Sequence, residues 1–297
     1  MPDLFCLGLG YSARAFIAGD GDRFATIAGT VRGEAQQQTL AANGVAGRAV
    51  TALLFDGRPR AEIAQAMCRA DAMLVSAPPA ALATAAADML GRAHRAPAVV
   101  YLSSLSVYGD YAGAAIDETA ALRPGSARGQ ERVAAEDAWR QFGRDTGCPV
   151  AILRLAGIYG PGRNALASVA SGTARRIVKP GQVFNRIHVA DIAQAIAATF
   201  QRRADGVFNV ADDEPAPPQD VIACAAVLLR MPLPPAIAFD DALPTLSPMA
   251  RSFYAESKRA LNGRLKTDLG ITLRYPTYRE GLAALCAAGE GDASGSP

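Results

Sequence analysis

The chain has 297 residues, 50% hydrophobic and 20% charged, with a formal net charge of +2. Those values describe a soluble globular protein long enough for one large domain or two small ones. They argue against a nucleic-acid binder, because no basic stripe interleaved with aromatics accompanies the near-balanced charge, and against a membrane span, because no apolar run approaches the roughly 18 residues a spanning helix needs.

The first element in chain order is a strand at Asp3 to Gly8 that runs into Gly8-x-Gly10-x-x-Ala13 and a helix from Ser12 to Ala18. This is the dinucleotide-binding fingerprint in its G-x-G-x-x-A form. Gly8 permits the tight turn, Gly10 lets a pyrophosphate approach the backbone, and Ala13 lets helix and strand lie close. The phosphates would rest on the free N–H groups of Tyr11, Ser12 and their neighbours at the helix start. Further strands are predicted at Ala25 to Val31, Ala49 to Phe55, Ala72 to Ser76, Ala98 to Ser103, Pro149 to Arg154 and Gly206 to Val210. Helices alternate with them at Arg60 to Arg69, Pro79 to Ala93 and Ser126 to Asp145. That rhythm implies an α/β fold, a Rossmann-type doubly wound parallel sheet with helices on both faces. Beyond Gly157 it breaks into Gly- and Pro-rich segments with helices at Asp191 to Arg202, Pro218 to Leu229 and Tyr278 to Ala287.

The predicted organisation is a nucleotide-binding domain over residues 1–156, completed by about 187–212, and a smaller α+β substrate lobe over 157–186 and 213–287. Residues 288–297, poor in apolar side chains, are expected to be a disordered tail. The start MPDLFCLG lacks the basic region of a secretory signal, so a cytoplasmic location is expected. Five cysteines, Cys6, Cys68, Cys148, Cys224 and Cys286, are scattered without C-x-x-C spacing. They read as reduced core residues, with neither a zinc site nor a disulfide framework.

Later segments carry a family resemblance. YLSSLSVYGD, followed by Asp117-Glu118-Thr119 and Pro124, then RLAGIYGPGRN, RIHVADIAQAI and VFNVADDEP, resemble in order the motifs of the extended short-chain dehydrogenase/reductases. The resemblance, to an NAD-dependent epimerase/dehydratase-like protein, runs from Leu4 to about Leu285. It departs in two places. The glycine motif reads CLGLGYSA where TGxxGxxG is usual, which marks an atypical branch. The Tyr-x-x-x-Lys window falls on Arg128-Gly129-Gln130-Glu131-Arg132, so both positions are Arg.

By the resemblance, Ser104 occupies the catalytic serine position, four residues before Tyr108. The family's lysine orients the nicotinamide ribose and lowers the tyrosine pKa, and the tyrosine exchanges a proton with substrate while hydride moves. Arg132 can keep the first role, having fixed charge and several donors. Arg128 cannot replace the tyrosine, because a guanidinium has no acceptor and keeps its proton; it could polarise a carbonyl or clamp an anion bidentately. The i, i+4 spacing puts both on one helix face, and the alternative is a pair of solvated surface arginines. Tyr108, Tyr111 or a water are the candidates for a replacement acid.

Around the cofactor, Arg32 lies about 20 residues past the glycine loop, where a carboxylate would hold the ribose of NAD. Neither Thr30 nor Val31 supplies one, so NADP is the expected cofactor, with NAD as the alternative. Arg14 could add a phosphate contact or be solvated. Asp56 resembles the family's adenine-contacting Asp, or forms an Asp-Gly turn. Ser76, Ala77 and Pro78, with Ser103, should wall the cofactor at the strand C-termini. Of the two histidines, His94 is expected in an exposed turn and His188 in an interlobe segment. Asn185, Arg186 and Asp191 are candidates for the substrate side, Asp191 equally for a helix N-cap. The functional expectation is an NADP(H)-binding oxidoreductase or sugar-nucleotide epimerase/dehydratase-type enzyme with an altered proton relay, acting on a small-molecule substrate for which an anionic group is a candidate. The alternative is a regulatory protein that binds NADP(H) without turnover. No nucleic acid or membrane partner is expected, and the oligomeric state stays open.

Overall fold

The computed structural model describes residues 1–58, 60–76, 83–86 and 96–291. Its centre is a sheet of seven parallel strands: β1 (Asp3–Leu7), β2 (Thr26–Val31), β3 (Thr51–Leu54), β4 (Ala72–Val75), β5 (Ala98–Ser104), β7 (Val150–Leu155) and β11 (Gly206–Val210). They lie in the order β11-β7-β5-β4-β1-β2-β3, every neighbouring pair parallel. The reversal on either side of β1 is the doubly wound arrangement, and it opens a crevice at the strand C-termini. The central strands β4 and β7 are buried along their whole length. Their sequences, AMLV and VAILRL, apolar but for Arg154, suit a sheet covered on both faces.

On one face pack α1 (Tyr11–Asp20), α2 (Glu34–Asn43) and α6 (Val189–Arg202). Phe16, Ile17, Leu40, Ile192 and Ile196 supply the apolar layer there, and the Phe16 and Phe200 rings sit 5.8 Å apart. On the other face, α3 (Ala61–Arg69) contributes Ile63 and Met67, and α4 (Ala127–Thr146) contributes Trp139 and Phe142. Trp139 is fully buried and stacks on Tyr101 of β5 at 6.2 Å. That contact fixes the depth of α4 on the sheet. Its ends are set locally: Ser126 accepts from the Gly129 N–H, and Gly147 closes the helix at φ 70°.

The second lobe has its own small core. The helices α5 (Ala165–Ala170), α7 (Pro218–Leu228) and α11 (Tyr278–Ala287) bury Leu166, Val221, Ala225, Leu282 and Leu285 together. Three short parallel pairs stitch the lobe together and to the sheet: β8 (Gly157–Tyr159) with β10 (Arg186–His188), β9 (Arg176–Val178) with β12 (Ala236–Ala238), and β6 (Ala115–Ile116) with β13 (Arg259–Ala260). The remaining helices are α8 (Phe239–Ala242), α9 (Pro248–Tyr254) and α10 (Gly263–Thr267).

All seven predicted strands are present, their ends moved by no more than two residues. The helix α2 was not read from its sequence, because EAQQQTLAAN buries only Leu40 and has almost no apolar periodicity. Most of the predicted helix Pro79 to Ala93, with His94, lies outside the described residues. Cys68 is exposed, which corrects its assignment to the core; Cys6 and Cys148 are buried. Among the described residues, no helix is long and apolar enough to cross a membrane.

Candidate active site

A cleft of about 690 Å³ opens at the C-terminal ends of the strands, between the sheet and the second lobe. The glycine loop forms one wall. Gly8 takes φ +99°, a conformation that favours glycine, and its N–H donates to Thr30 Oγ1 at 2.9 Å. Ser76 Oγ donates to the Gly8 carbonyl at 2.6 Å and so pins the loop to the end of β4. Gly10 is the N-cap of α1 and offers no side chain to the first-turn N–H groups. A Cβ built on Gly10 would meet only Ser76 Oγ, at 3.8 Å. Among the described residues the cradle above the loop is therefore open, and the first N–H groups of α1 have no hydrogen-bond partner there, as a pyrophosphate would require. Ala13 is fully buried behind the loop. Tyr11 and Ser12 line the cleft, and Tyr11 Oη donates to the Pro161 carbonyl of the second lobe at 2.9 Å. The side chain of Tyr11 also closes on Gly160, where a built Cβ would stand 2.7 Å from its hydroxyl.

Three other predicted cofactor contacts, Arg14, Arg32 and Asp56, are not part of the cleft lining. Arg32 is exposed just past β2 and has no hydrogen-bond or ion-pair partner among the described residues. Arg14 is exposed on α1. Asp56 is an exposed turn residue that accepts from the Arg58 N–H and pairs with Arg60 at 3.1 Å; the Arg58 hydrogen bond and then Arg60 lower its pKa. Ala77 and Pro78 lie outside the described residues.

The middle of the cleft is formed by the end of β5 and by α4. Ser104 lines it, its Oγ accepting from the Ser106 N–H at 3.2 Å. Arg132 also lines it, with Nη1 donating to the Leu102 carbonyl at 2.7 Å and to Tyr101 Oη at 3.4 Å. Arg128 does not join the cleft lining; it is exposed and turns toward Met249 Sδ at 3.9 Å. Ser103 lines the cleft, but its hydroxyl donates into the core, to Glu136 Oε1 at 2.6 Å.

Tyr108 requires a correction as a replacement acid. It is fully buried, donates to Asn209 Oδ1 and accepts from Arg154 Nη1, both at 2.7 Å, and burial raises its pKa. It belongs to a polar network that sequence reasoning missed. Glu136, with no exposure, accepts from Arg154 at 2.8 Å, from Arg140 at 2.9 Å and from Ser103. The Arg154 guanidinium stacks over the Tyr108 ring at 4.7 Å. The one available signal was spacing, since Glu136 follows Arg132 by one helical turn. Tyr111 is likewise committed, to the Ala121 carbonyl at 2.6 Å.

The second lobe closes the far end. Asn185 and Arg186 reach the cleft; Asp191 does not. The carboxylate of Asp191 accepts the N–H groups of Arg274 and Tyr275 at 2.6 and 3.1 Å, and the N-cap of α6 is His188, whose Nδ1 accepts from the Ala190 N–H. Burial pushes the His188 pKa down to about 4. Tyr159, Arg163, Phe253, Tyr254, Glu256 and Lys258 also line the cleft, none of them anticipated from sequence. Lys258 is buried and pairs with Glu256 at 2.7 Å.

Residues 79–211 match the NAD dependent epimerase/dehydratase family. Among curated proteins, a 3-diazoavenalumate denitrifying reductase from a Streptomyces species is 30% identical over 139 residues, 44% of this chain and 45% of that protein. Protein YeeZ of Escherichia coli K12 is 35% identical over 120 residues, 40% of this chain and 41% of that protein. The matched region thus spans less than half the length of these relatives. Among solved structures, a functionally unknown conserved protein from Silicibacter pomeroyi is 44% identical with a TM-score of 0.85, covering 98% of this chain and all of that one. Two more distant structures share the fold. MoeE5 in complex with UDP-glucose and NAD is 19% identical with a TM-score of 0.77, covering 97% of this chain and 98% of that one. Human epimerase family protein SDR39U1 with NADPH is 15% identical with a TM-score of 0.75, covering 97% and 99%. Motif order, sheet topology and the sequence match over residues 79–211, a little under half of the chain, together make this protein similar to the NAD-dependent epimerase/dehydratase family.

Proposed function

We propose that the protein binds NADP(H) and acts as an oxidoreductase or epimerase/dehydratase-type enzyme on a small-molecule substrate, with an altered proton relay. One observation carries this reading: a single cleft runs from Gly10, Tyr11, Ser12 and Ser76, past Ser104 and Arg132, to Asn185 and Arg186 of the second lobe. Cofactor, reacting centre and substrate would then be contiguous. The names of the relatives support the class, since one is a reductase and the fold neighbours hold NADPH or NAD. The preference for NADP rests on Arg32, a guanidinium without a partner among the described residues where a ribose-binding carboxylate would sit.

A nicotinamide cofactor, when bound, would supply the hydride chemistry. Arg132 would hold its ribose with the guanidinium donors left beyond its bond to Leu102. Ser104 presents a hydroxyl to the reacting oxygen. The phenols of the cleft are Tyr11, Tyr159 and Tyr254, and burial raises the pKa of each. Tyr11 and Tyr159 also donate to backbone carbonyls. None matches the usual tyrosine, which sits beside a lysine that lowers its pKa, so the Ser104 hydroxyl on the cleft would be the group left to hand on the proton.

A second reading, cofactor binding without turnover, is favoured by Arg128 lying outside the cleft and by the burial of Tyr108. Calorimetric titration with NADPH and NADH, followed by NADPH oxidation across a panel of carbonyl compounds, separates the two. NADPH should bind at least tenfold more tightly, the scale of a charged hydrogen bond worth roughly 1.5–3 kcal/mol, and Arg32→Ala should erase the difference. Failure of both cofactors to bind removes the proposal. Tight NADPH binding with no oxidation across the panel favours the second reading.

A further inference from the structure

The second-lobe end of the cleft holds a charge without a counter-ion. Arg186, on β10, is half-buried and lines the cleft. Its Nη1 donates to the carbonyls of Phe184 and Ala216, both at 3.0 Å, and its guanidinium packs over the Tyr278 ring at 5.8 Å. Among the described residues, no carboxylate lies within ion-pair distance of it. Asp212, the carboxylate with the largest electrostatic effect on it, is buried with Oδ2 lacking any hydrogen-bond partner among the described residues, and neither it nor Asp220 makes an ion pair with Arg186. Glu256 is the one carboxylate among the described residues lining the cleft, and it is already paired with Lys258.

A half-buried guanidinium that faces the cleft with no ion-pair partner among the described residues is placed to take an anion there. Nε and Nη2 of Arg186 make no hydrogen bond among the described residues, and such donors suit a planar oxyanion. Beside it Asn185 adds a polar edge, while Phe184, Phe253 and Tyr254 form an aromatic wall. Arg128, the sequence candidate for an anion clamp, is outside this space.

We infer that Arg186 is the specificity-determining residue of the substrate half of the cleft, and that the substrate is an organic anion whose carboxylate or phosphate docks on Arg186 with its body against the aromatic wall. The inference rests on the proposed function only in taking this half of the cleft as the substrate half. Saturation-transfer NMR with benzoate, phenyl phosphate and the neutral analogue benzamide tests it on the unaltered protein. At least one of the two anions should bind tenfold or more tightly than benzamide, a modest demand for a charge-assisted contact. Preference for benzoate identifies a carboxylate substrate, and preference for phenyl phosphate a phosphate. In Arg186→Gln, whose amide can still serve one backbone carbonyl, that anion preference should vanish while NADPH affinity, measured in parallel, stays within twofold. Equal binding of the three probes to the unaltered protein overturns the inference, as does an anion preference that survives in a folded Arg186→Gln. Loss of NADPH binding by the unaltered protein would count against the cofactor proposal alone, because the probe series does not depend on it.

Discussion

At the scale of single residues, the site divides into positions that the cleft needs and positions that only look necessary. Gly10 has extended backbone angles open to any residue, φ −83° and ψ −171°, and free space above it. A side chain there should be harmless to the fold and ruinous to a pyrophosphate. Gly10→Val is therefore expected to keep the thermal midpoint of the parent while NADPH affinity falls below detection in calorimetry; unchanged affinity in the folded variant would remove the loop from the site. The two arginines of the substituted pair should separate as cleanly. Arg132→Ala removes donors that face the cleft and is expected to weaken NADPH binding by roughly 1.5–3 kcal/mol. Arg128→Ala, altering an exposed side chain on Met249, should change it by less than about 0.5 kcal/mol, as surface substitutions usually do. Calorimetry on both variants gives the comparison, and a larger effect from Arg128 would reverse the assignment.

At the scale of elements, α4 does more than present Arg132. One turn later it inserts Glu136 between the sheet and Arg140, where the carboxylate holds Arg154 of β7 and Ser103 of β5 together. Glu136→Ala would strand the Arg154 charge in the core, and removal of one partner from a buried pair costs about 3–5 kcal/mol. Urea unfolding should show that loss; a change under about 1 kcal/mol would mean that water reaches Arg154. The same helix marks the limit of what could be read without coordinates. The glycine loop, the strand succession, Ser104 and Arg132 were legible because each depends on local spacing, a turn, a repeat or a motif. The network of Glu136, Arg154, Tyr108 and Asn209 joins residues 18 to 101 positions apart. Nothing local distinguishes a buried Glu on an amphipathic helix from a solvated one, and Tyr108 beside a motif reads as reactive until its partners are seen. Arg186 was named from its segment, but the missing counter-ion is a property of the assembled lobe.

At the scale of the whole molecule, two buried groups tie stability to pH with opposite signs. Asp212 holds its proton up to about pH 8 when folded, against 3.8 for an ordinary Asp. The folded state thus binds more protons between those values, and stability falls as pH rises through the window. His188 drops from 6.5 to about 4, so the unfolded state binds more protons there and stability rises with pH. The two oppose each other below pH 6.5, and from there to about pH 8 Asp212 acts alone. The thermal midpoint should therefore decline across that upper interval, and Asp212→Asn should flatten the decline; an unaltered slope would show that Asp212 ionises freely. The cleft is crossed by a strut, the Tyr11 hydroxyl on the Pro161 carbonyl, anchored at one end beside the glycine loop and at the other in the segment that leads from β8 into α5. Any molecule that moves Tyr11 on arrival must alter the energy of the opposite lobe, and by thermodynamic reciprocity a molecule seated in that lobe must alter the first one's affinity by the same factor. The two halves of the cleft are in this sense coupled through one phenol.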